Sequence, residues 1–438
     1  MLEKAMGASL RLLNEFAGSE VAEKLGLVEP AKKILYQGSK TGFTVLQEGA
    51  KVWKQLVDVK APERMPKKSA SSDLFDLTPT EDQAMVQDTM RQFAADVLRP
   101  GAHDAESALA TPKAILDQAQ ELGIMSLSIP EKLGGAGEER SPVSNVLIAE
   151  ALAHGDMGMA FAILSPLSVI NALVDAGSAD QQSRYLAAFA KDTFLPASIA
   201  LMEPQPMFDP FRLRTRAIRE GLGYRLEGVK SMVALSDSAE LFLVAAAVDG
   251  ARPRIFLVDR NTPGLTIERT PAMGLRAAGL GELRLSGVSV SADRVLGGEG
   301  DAFDYASFVD RGRIAWSALA VGQAQALLDF VIPYCNERRA FGEPITNRQA
   351  VAFMIADMAI EVESMRMLTW RAAALAEEGK GCRREAYLAR LLAGEKAMKL
   401  GSDGVQLLGG HGYTKEYPVE RWYRNLRAVA VMESGLYV

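Results

Sequence analysis

The hydrophobic period of this 438-residue chain changes twice, and that constrains its fold more than any single residue does. From about residue 77 to 195, apolar residues recur at helical spacing. From about 196 to 298 they form short alternating or continuous runs punctuated by Gly and Pro, and from Phe303 onward helical periodicity returns. A doubly wound sheet would alternate single strands with single helices, so a β block between two helical blocks argues against a dinucleotide fold of that type. The expected architecture is mainly α with an inserted β domain: a helical domain over 77–195, a β domain over 196–300 and a helical bundle over 301–438. Ahead of these, residues 1–73 read as an amphipathic helical extension ending in a polar, Pro- and Ser-containing linker.

Local signals sharpen this outline. Thr78, Pro79 and Glu81 predict a helix start with a capping box, followed by one apolar face made of Met85, Val86, Met90, Phe93, Ala94, Val97 and Leu98 and ended by Arg99-Pro100. Further helices are expected at Pro112–Leu122, Ser141–His154, Ser165–Asp175, Ile314–Val331 and Gln349–Ala376, with Gly379 and Gly381 as breaks. Strands are expected around Tyr224–Glu227, Leu241–Val248, Ile255–Val258, Leu265–Ile267 and Leu283–Leu285.

Charge and composition remove several function classes. With 49 basic against 55 acidic residues, a formal charge of −6 and no basic run, nucleic-acid binding has little electrostatic support. Cys335 and Cys382 make no disulfide framework and suit a reducing compartment. His103, His154 and His411 are scattered, no HExxH, G-x-S-x-G, P-loop or complete G-x-G-x-x-G occurs, and no metal site is expected. The chemistry therefore falls to a carboxylate, backbone groups or an organic cofactor. Leu241–Val248 reads as the longest clean apolar run, so no transmembrane helix is expected. The acidic start (Glu3, Glu15, Glu20, Glu23) is unlike a signal or transit peptide, which points to the cytoplasm.

Several motifs, in the order of the three units, resemble the acyl-CoA dehydrogenase family of FAD enzymes over about residues 77–435. Ile129-Pro130-Glu131 through Gly137 is similar to its I-P-E-x-x-G-G-x-G turn, and Ala200-Leu201-Met202-Glu203-Pro204 with Asp209 to A-L-T-E-P-x-x-G-S-D. Gly228 to Ala234 follows G-x-K-x-W-I-T. Here Met202, Met207, Phe208, Met232 and Ala234 replace Thr, Gly, Ser, Trp and Thr, which removes hydroxyls and alters flavin packing. Arg338-Arg339-Ala340-Phe341-Gly342 with Ile345 and Gln349 matches R-x-x-F-G-x-x-I-x-x-x-Q. Val405-Gln406 through Tyr413, then Tyr417 through Asn425, match V-Q-x-x-G-G-x-G-Y and Y-P-V-E-R-x-x-R-D.

The resemblance implies FAD as cofactor, with Leu201, Arg338, Phe341, Gln406, Gly409 and Gly410 as binding residues, the Arg and Phe acting across a subunit interface. An Arg fork suits a pyrophosphate, and glycines let backbone approach it. Register carried from Arg421 sets Val431-Met432-Glu433-Ser434-Gly435 on I-Y-E-G-T, so Glu433 falls on the family's base position, while the alternative base position holds Gly312. Arg313 and Met432 are the implied substrate contacts, and His411 reads as a turn residue. The implied reaction is α,β-dehydrogenation of a saturated acyl-CoA to a trans-2-enoyl-CoA, as in fatty-acid β-oxidation. An electron-transfer flavoprotein is the implied acceptor and a homodimer or homotetramer the implied assembly. Two alternatives stay open: a degenerate homologue that binds FAD or acyl-CoA without turnover, and a flavin oxidase or a non-CoA enzyme of the same fold.

Overall fold

A computed structural model describes residues 77–438 except 138, 139, 192, 251, 301, 302 and 434. The expected extension and linker over 1–73 lie outside the described residues.

The first helical block contains α1 (Glu81–Phe93), α2 (Arg99–Ala108), α3 (Lys113–Glu121), α4 (Pro142–Gly155), α5 (Met157–Ala176) and α6 (Ala179–Phe189). The N-cap of α1 lies two residues beyond the expected one. Thr80 is the N-cap, accepting the Gln83 N–H, and the Gln83 side chain returns to the Thr80 N–H. Arg99-Pro100 does not end the run, because a π-helical turn over Ala94–Leu98 leads into α2 and Pro100 falls in that helix's first turn, where no N–H is required. Met90, Phe93, Ala94 and Leu98 are buried as expected, whereas Met85 is 64% exposed.

The helix expected at Ser165–Asp175 begins eight residues earlier. Asp156 caps it with Oδ1 accepting the N–H groups of Gly158 (3.0 Å) and Met159 (3.1 Å), and Pro166 sits inside it. Either side of Pro166, the Ser165 and Ser168 hydroxyls donate to the Phe161 and Leu164 carbonyls. This also corrects the reading of Leu241–Val248 as the longest apolar run. Met157–Ala176 and Tyr305–Glu337 are long and apolar enough to cross a membrane by length and composition, and 94% and 83% of those windows are buried within the protein.

Seven strands follow: β1 (Ala197–Ala200), β2 (Arg216–Glu220), β3 (Gly223–Val233), β4 (Leu241–Val248), β5 (Arg252–Asp259), β6 (Leu265–Arg269) and β7 (Gly281–Ser291). They form one sheet in the order β1-β4-β2-β3-β7-β6, with β5 also on β4. β1 and β4 run parallel (Ala197 opposite Leu241), while β3 and β7 are antiparallel with a bulge between Lys230 and Val233. Sequence periodicity missed β1, which is buried throughout, and β2, whose arginines look like loop.

The last block contains α7 (Tyr305–Glu337), α8 (Gln349–Glu377), α9 (Arg383–Leu408) and α10 (Val419–Val429). A short hairpin at Arg339–Pro344 separates α7 from α8. α7 crosses α4 so closely that a Cβ on Gly322 would stand 2.0 Å from the Glu150 carbonyl oxygen. Asp156 also pairs with Arg421 of α10 at 3.1 Å, in a buried contact that ties the two helical blocks together.

Candidate active site

The Glu433 carboxylate, 14% exposed, is clasped by α7 and α9. Arg313 Nε and Nη2 both lie 2.6 Å from Oε1, and Arg390 Nε lies 3.4 Å from Oε2. Arg390 also donates from Nη2 to the Met432 carbonyl at 2.6 Å, so one arginine fixes backbone and side chain of neighbouring residues. Burial holds the Arg390 guanidinium below its usual range, opposed by the Glu433 charge. Behind Arg313 stands Asp310, whose carboxyl burial pushes upward against the charges of Arg313 and Arg383. The Tyr387 ring lies 5.7 Å from the Arg313 guanidinium carbon.

The backbone of Glu433 reaches the helix-to-β junction. Its N–H donates to the Met202 sulfur at 3.3 Å. Leu201 and Met202 are buried and held rigidly: Lys230 Nζ donates to the Leu201 carbonyl at 3.1 Å, and Ser231 N–H to the Met202 carbonyl at 2.9 Å. Lys230 also pairs with Glu203 at 2.8 Å, both side chains almost wholly buried. Desolvation pulls the Lys230 ammonium down to about 8 against the pull of Glu203. Burial works to raise the Glu203 carboxyl, but Lys230 and the Arg214 and Thr215 N–H groups hold it below the usual carboxylate range. Next to this segment Met232 sits on the β3 bulge at φ +56°, and the Ala234 carbonyl accepts the Ser198 hydroxyl at 2.6 Å. The junction is built of apolar Leu201, Met202, Met232 and Ala234, and its Met202 sulfur touches the backbone of Glu433.

Leu201, Arg313, Met432 and Glu433 thus come together. Arg338, Phe341, Gln406, Gly409 and Gly410 form a second group at the opposite end of α7, all of them exposed. The two halves of that group are joined by Tyr334, whose hydroxyl meets His411 Nδ1 at 2.9 Å, with Phe330 and Tyr417 packed around it. His411, read from the sequence as a turn residue, lies in a short 3-10 helix over Gly409–Tyr413. Gly409 has φ +57°, and a Cβ on Gly409 or Gly410 would meet nothing within 4 Å, so the backbone is open to close approach by a phosphate-bearing group. A dinucleotide cofactor fits this division, with an Arg fork and bare glycines at one end and an apolar wall beside a carboxylate at the other. Sequence reasoning missed Arg390, Tyr387 and the Lys230–Glu203 pair. Arg390 and Tyr387 carried no signal beyond helical spacing, whereas Lys230 and Glu203 stood inside quoted motifs without an assigned role.

Family models for the acyl-CoA dehydrogenase N-terminal domain, middle domain and C-terminal domain match residues 80–193, 198–288 and 304–435. The chain belongs to the acyl-CoA dehydrogenase family. An acyl-CoA dehydrogenase of Bacillus subtilis (strain 168) is 33% identical over 361 residues, 81% of this chain and 94% of that one. The structure of butyryl-CoA dehydrogenase from Megasphaera elsdenii superposes with a TM-score of 0.75 at 28% identity, covering 82% of this chain and 96% of the other. A glutaryl-CoA dehydrogenase from Mycobacterium smegmatis, solved in complex with FADH2, gives 0.73 at 26% identity over 81% and 92% of the two chains. Acyl-CoA dehydrogenases are FAD-dependent flavoproteins, and this family member is an oxidoreductase with FAD as its cofactor. The expected layout of a helical domain, a β domain and a helical bundle is the one observed.

Proposed function

We propose that this protein removes the α- and β-hydrogens of a saturated acyl-CoA, with Glu433 taking the α-proton. One observation supports the reading: the Glu433 N–H donates to the Met202 sulfur, which sets the residue that bears the carboxylate beside the junction assigned to the flavin ring. When bound there, the flavin supplies the hydride acceptor. Everything else is done by the chain. Thioether sulfur is a weak acceptor, so the Glu433 N–H is available to a better one, such as a thioester oxygen gaining negative charge. Arg313 and Arg390 hold the carboxylate in a dry setting, and it must give up part of the Arg313 contact to accept a proton. Leu201, Met202 and Met432, all buried, exclude water from the wall.

Arg338, Phe341, Gln406, Gly409 and Gly410 would hold the pyrophosphate and adenine of FAD. From Arg313 to the end of α7 is about 36 Å along the helix, so the two ends of one cofactor are served by two copies of the chain. An exposed apolar stripe on α8, Phe353, Ile360 and Met367 at seven-residue spacing, and Leu391 on α9 support a homo-oligomer. The reading includes an electron-transfer flavoprotein as acceptor, as the family resemblance implies.

A second reading, an FAD- or acyl-CoA-binding scaffold without turnover, draws on the occupied state of Glu433, whose N–H and carboxylate both meet this chain's own groups. Anaerobic addition of acyl-CoA separates the two. Turnover requires that yellow protein bleach and that Glu433→Gln keep its colour while losing the bleaching; yellow wild-type protein that binds acyl-CoA without bleaching is the scaffold.

A further inference from the structure

Three guanidinium groups share two carboxylates around the candidate base. Arg313 presents Nε and Nη2 to Glu433 Oε1, both at 2.6 Å, and its remaining nitrogen, Nη1, to Asp310 Oδ1 at 3.5 Å. Of the two acids, Arg390 meets Glu433, with Nε 3.4 Å from Oε2, and Arg383 meets Asp310, with Nε 3.4 Å from Oδ2. Arg313 is therefore the cation placed between both acids. Asp310 is buried and lies three residues before Arg313, on the same face of α7.

A proton arriving at Glu433 Oε1 needs the position that Arg313 Nε and Nη2 now fill. Withdrawing a guanidinium from a buried acid with no second acceptor strands its charge, which is costly. Asp310 is that second acceptor. Burial pushes its carboxyl upward in spite of Arg313 and Arg383, so its charge is under-compensated and gains from a closer cation. Resting on the reading of Glu433 as the base, we propose that Asp310 is a positioning residue: it draws Arg313 off Glu433 as the α-proton arrives. Arg390 stays with the Met432 carbonyl and holds the carboxylate in place. The proton passes from the α-carbon to Glu433 Oε1, and its electron pair stays on the substrate as an enolate. Arg313 then faces Asp310 rather than a neutral acid. Arg383 sets the opposing pull, because it competes with Arg313 for the same carboxylate.

The test reads proton transfer by itself. Acetyl-CoA has α-hydrogens and no β-carbon, so in deuterium oxide a working base exchanges those hydrogens with solvent while no hydride can leave. Mass spectrometry of the thioester, kept saturating over the FAD-loaded protein, follows the exchange. Asp310→Asn keeps shape and loses charge; it should slow exchange by about ten-fold or more, with half-saturation within about three-fold of wild type. Asp310→Glu should exchange faster than Asp310→Asn. Arg383→Gln, at an exposed side chain, should speed exchange by about two-fold or more over wild type, because Arg313 then has Asp310 to itself. A network that only supports packing predicts losses at both positions. A wild-type rate in Asp310→Asn overturns the assignment, as does an Arg383→Gln rate at or below wild type in protein of native circular dichroism and colour. That second arm stands even where Asp310→Asn fails to fold. Wild-type protein that exchanges nothing, or exchange that survives Glu433→Gln, defeats the reading of Glu433 as the base and takes the assignment with it.

Discussion

The sulfur of Met202 and the backbone N–H of Glu433 meet at 3.3 Å across 231 positions of sequence. This contact joins the segment after β1 to the segment after α10, and it occupies the backbone N–H of the residue that bears the carboxylate. A thioether holds such a donor loosely, so the donor is satisfied at rest and free to be exchanged.

Met202→Leu keeps volume and removes the acceptor. The thermal midpoint should shift by only a few degrees, since such swaps cost less than about 1.5 kcal/mol. Steady-state kcat/KM should stay within about three-fold of wild type or rise. A fall beyond about ten-fold would show that the sulfur itself takes part.

Lys230 and Glu203 support the Leu201–Met202 wall as a buried pair, and breaking it from one side strands a charge. Lys230→Met alone should cost about 3 kcal/mol or more in urea unfolding, whereas Lys230→Met with Glu203→Gln should recover a large part of that loss. Equal losses in the single and double variants would contradict the pairing.

The same pair has a signature in alkali. Lys230 titrates near 8 when folded against an ordinary 10.5, so between those values the unfolded chain binds more protons. Stability relative to the double variant should therefore rise as pH climbs through that window, by up to about 3 kcal/mol, and fall again as pH drops to 8. Chemical denaturation at pH 7.5, 9 and 10 measures it, and a flat difference would be inconsistent with a depressed lysine.

On α8, Phe353→Glu with Ile360→Glu adds like charges to the exposed stripe. Light scattering after size exclusion should show a smaller species, and the separated protein should lose FAD, since each cofactor would have lost its second chain. Retention of both size and colour would place the subunit contact elsewhere.

Much of this architecture was legible before any coordinates. The two changes of hydrophobic period mark where α6 gives way to β1 and where the sheet gives way to α7, because buried helices and buried strands demand different spacing of the same residues. Glu433 and Arg313 were legible as positions in a family pattern, and they do meet. Arg390 was not, because a lone cation on a helix has no meaning until α9 is packed against the Met432 carbonyl. The start of α5 was missed because Pro166 imitates a first helical residue.

Gly322 lies nine residues beyond Arg313 on α7, about 13 Å from the carboxylate's anchor, and touches neither cofactor-binding group. Yet even an alanine there would collide with the Glu150 carbonyl and wedge α4 from α7, so the rod that carries Arg313 would be reseated. A variant at this position would impersonate an active-site lesion while all the reacting groups stayed intact, and only a measure of fold, taken before any assay, would unmask it.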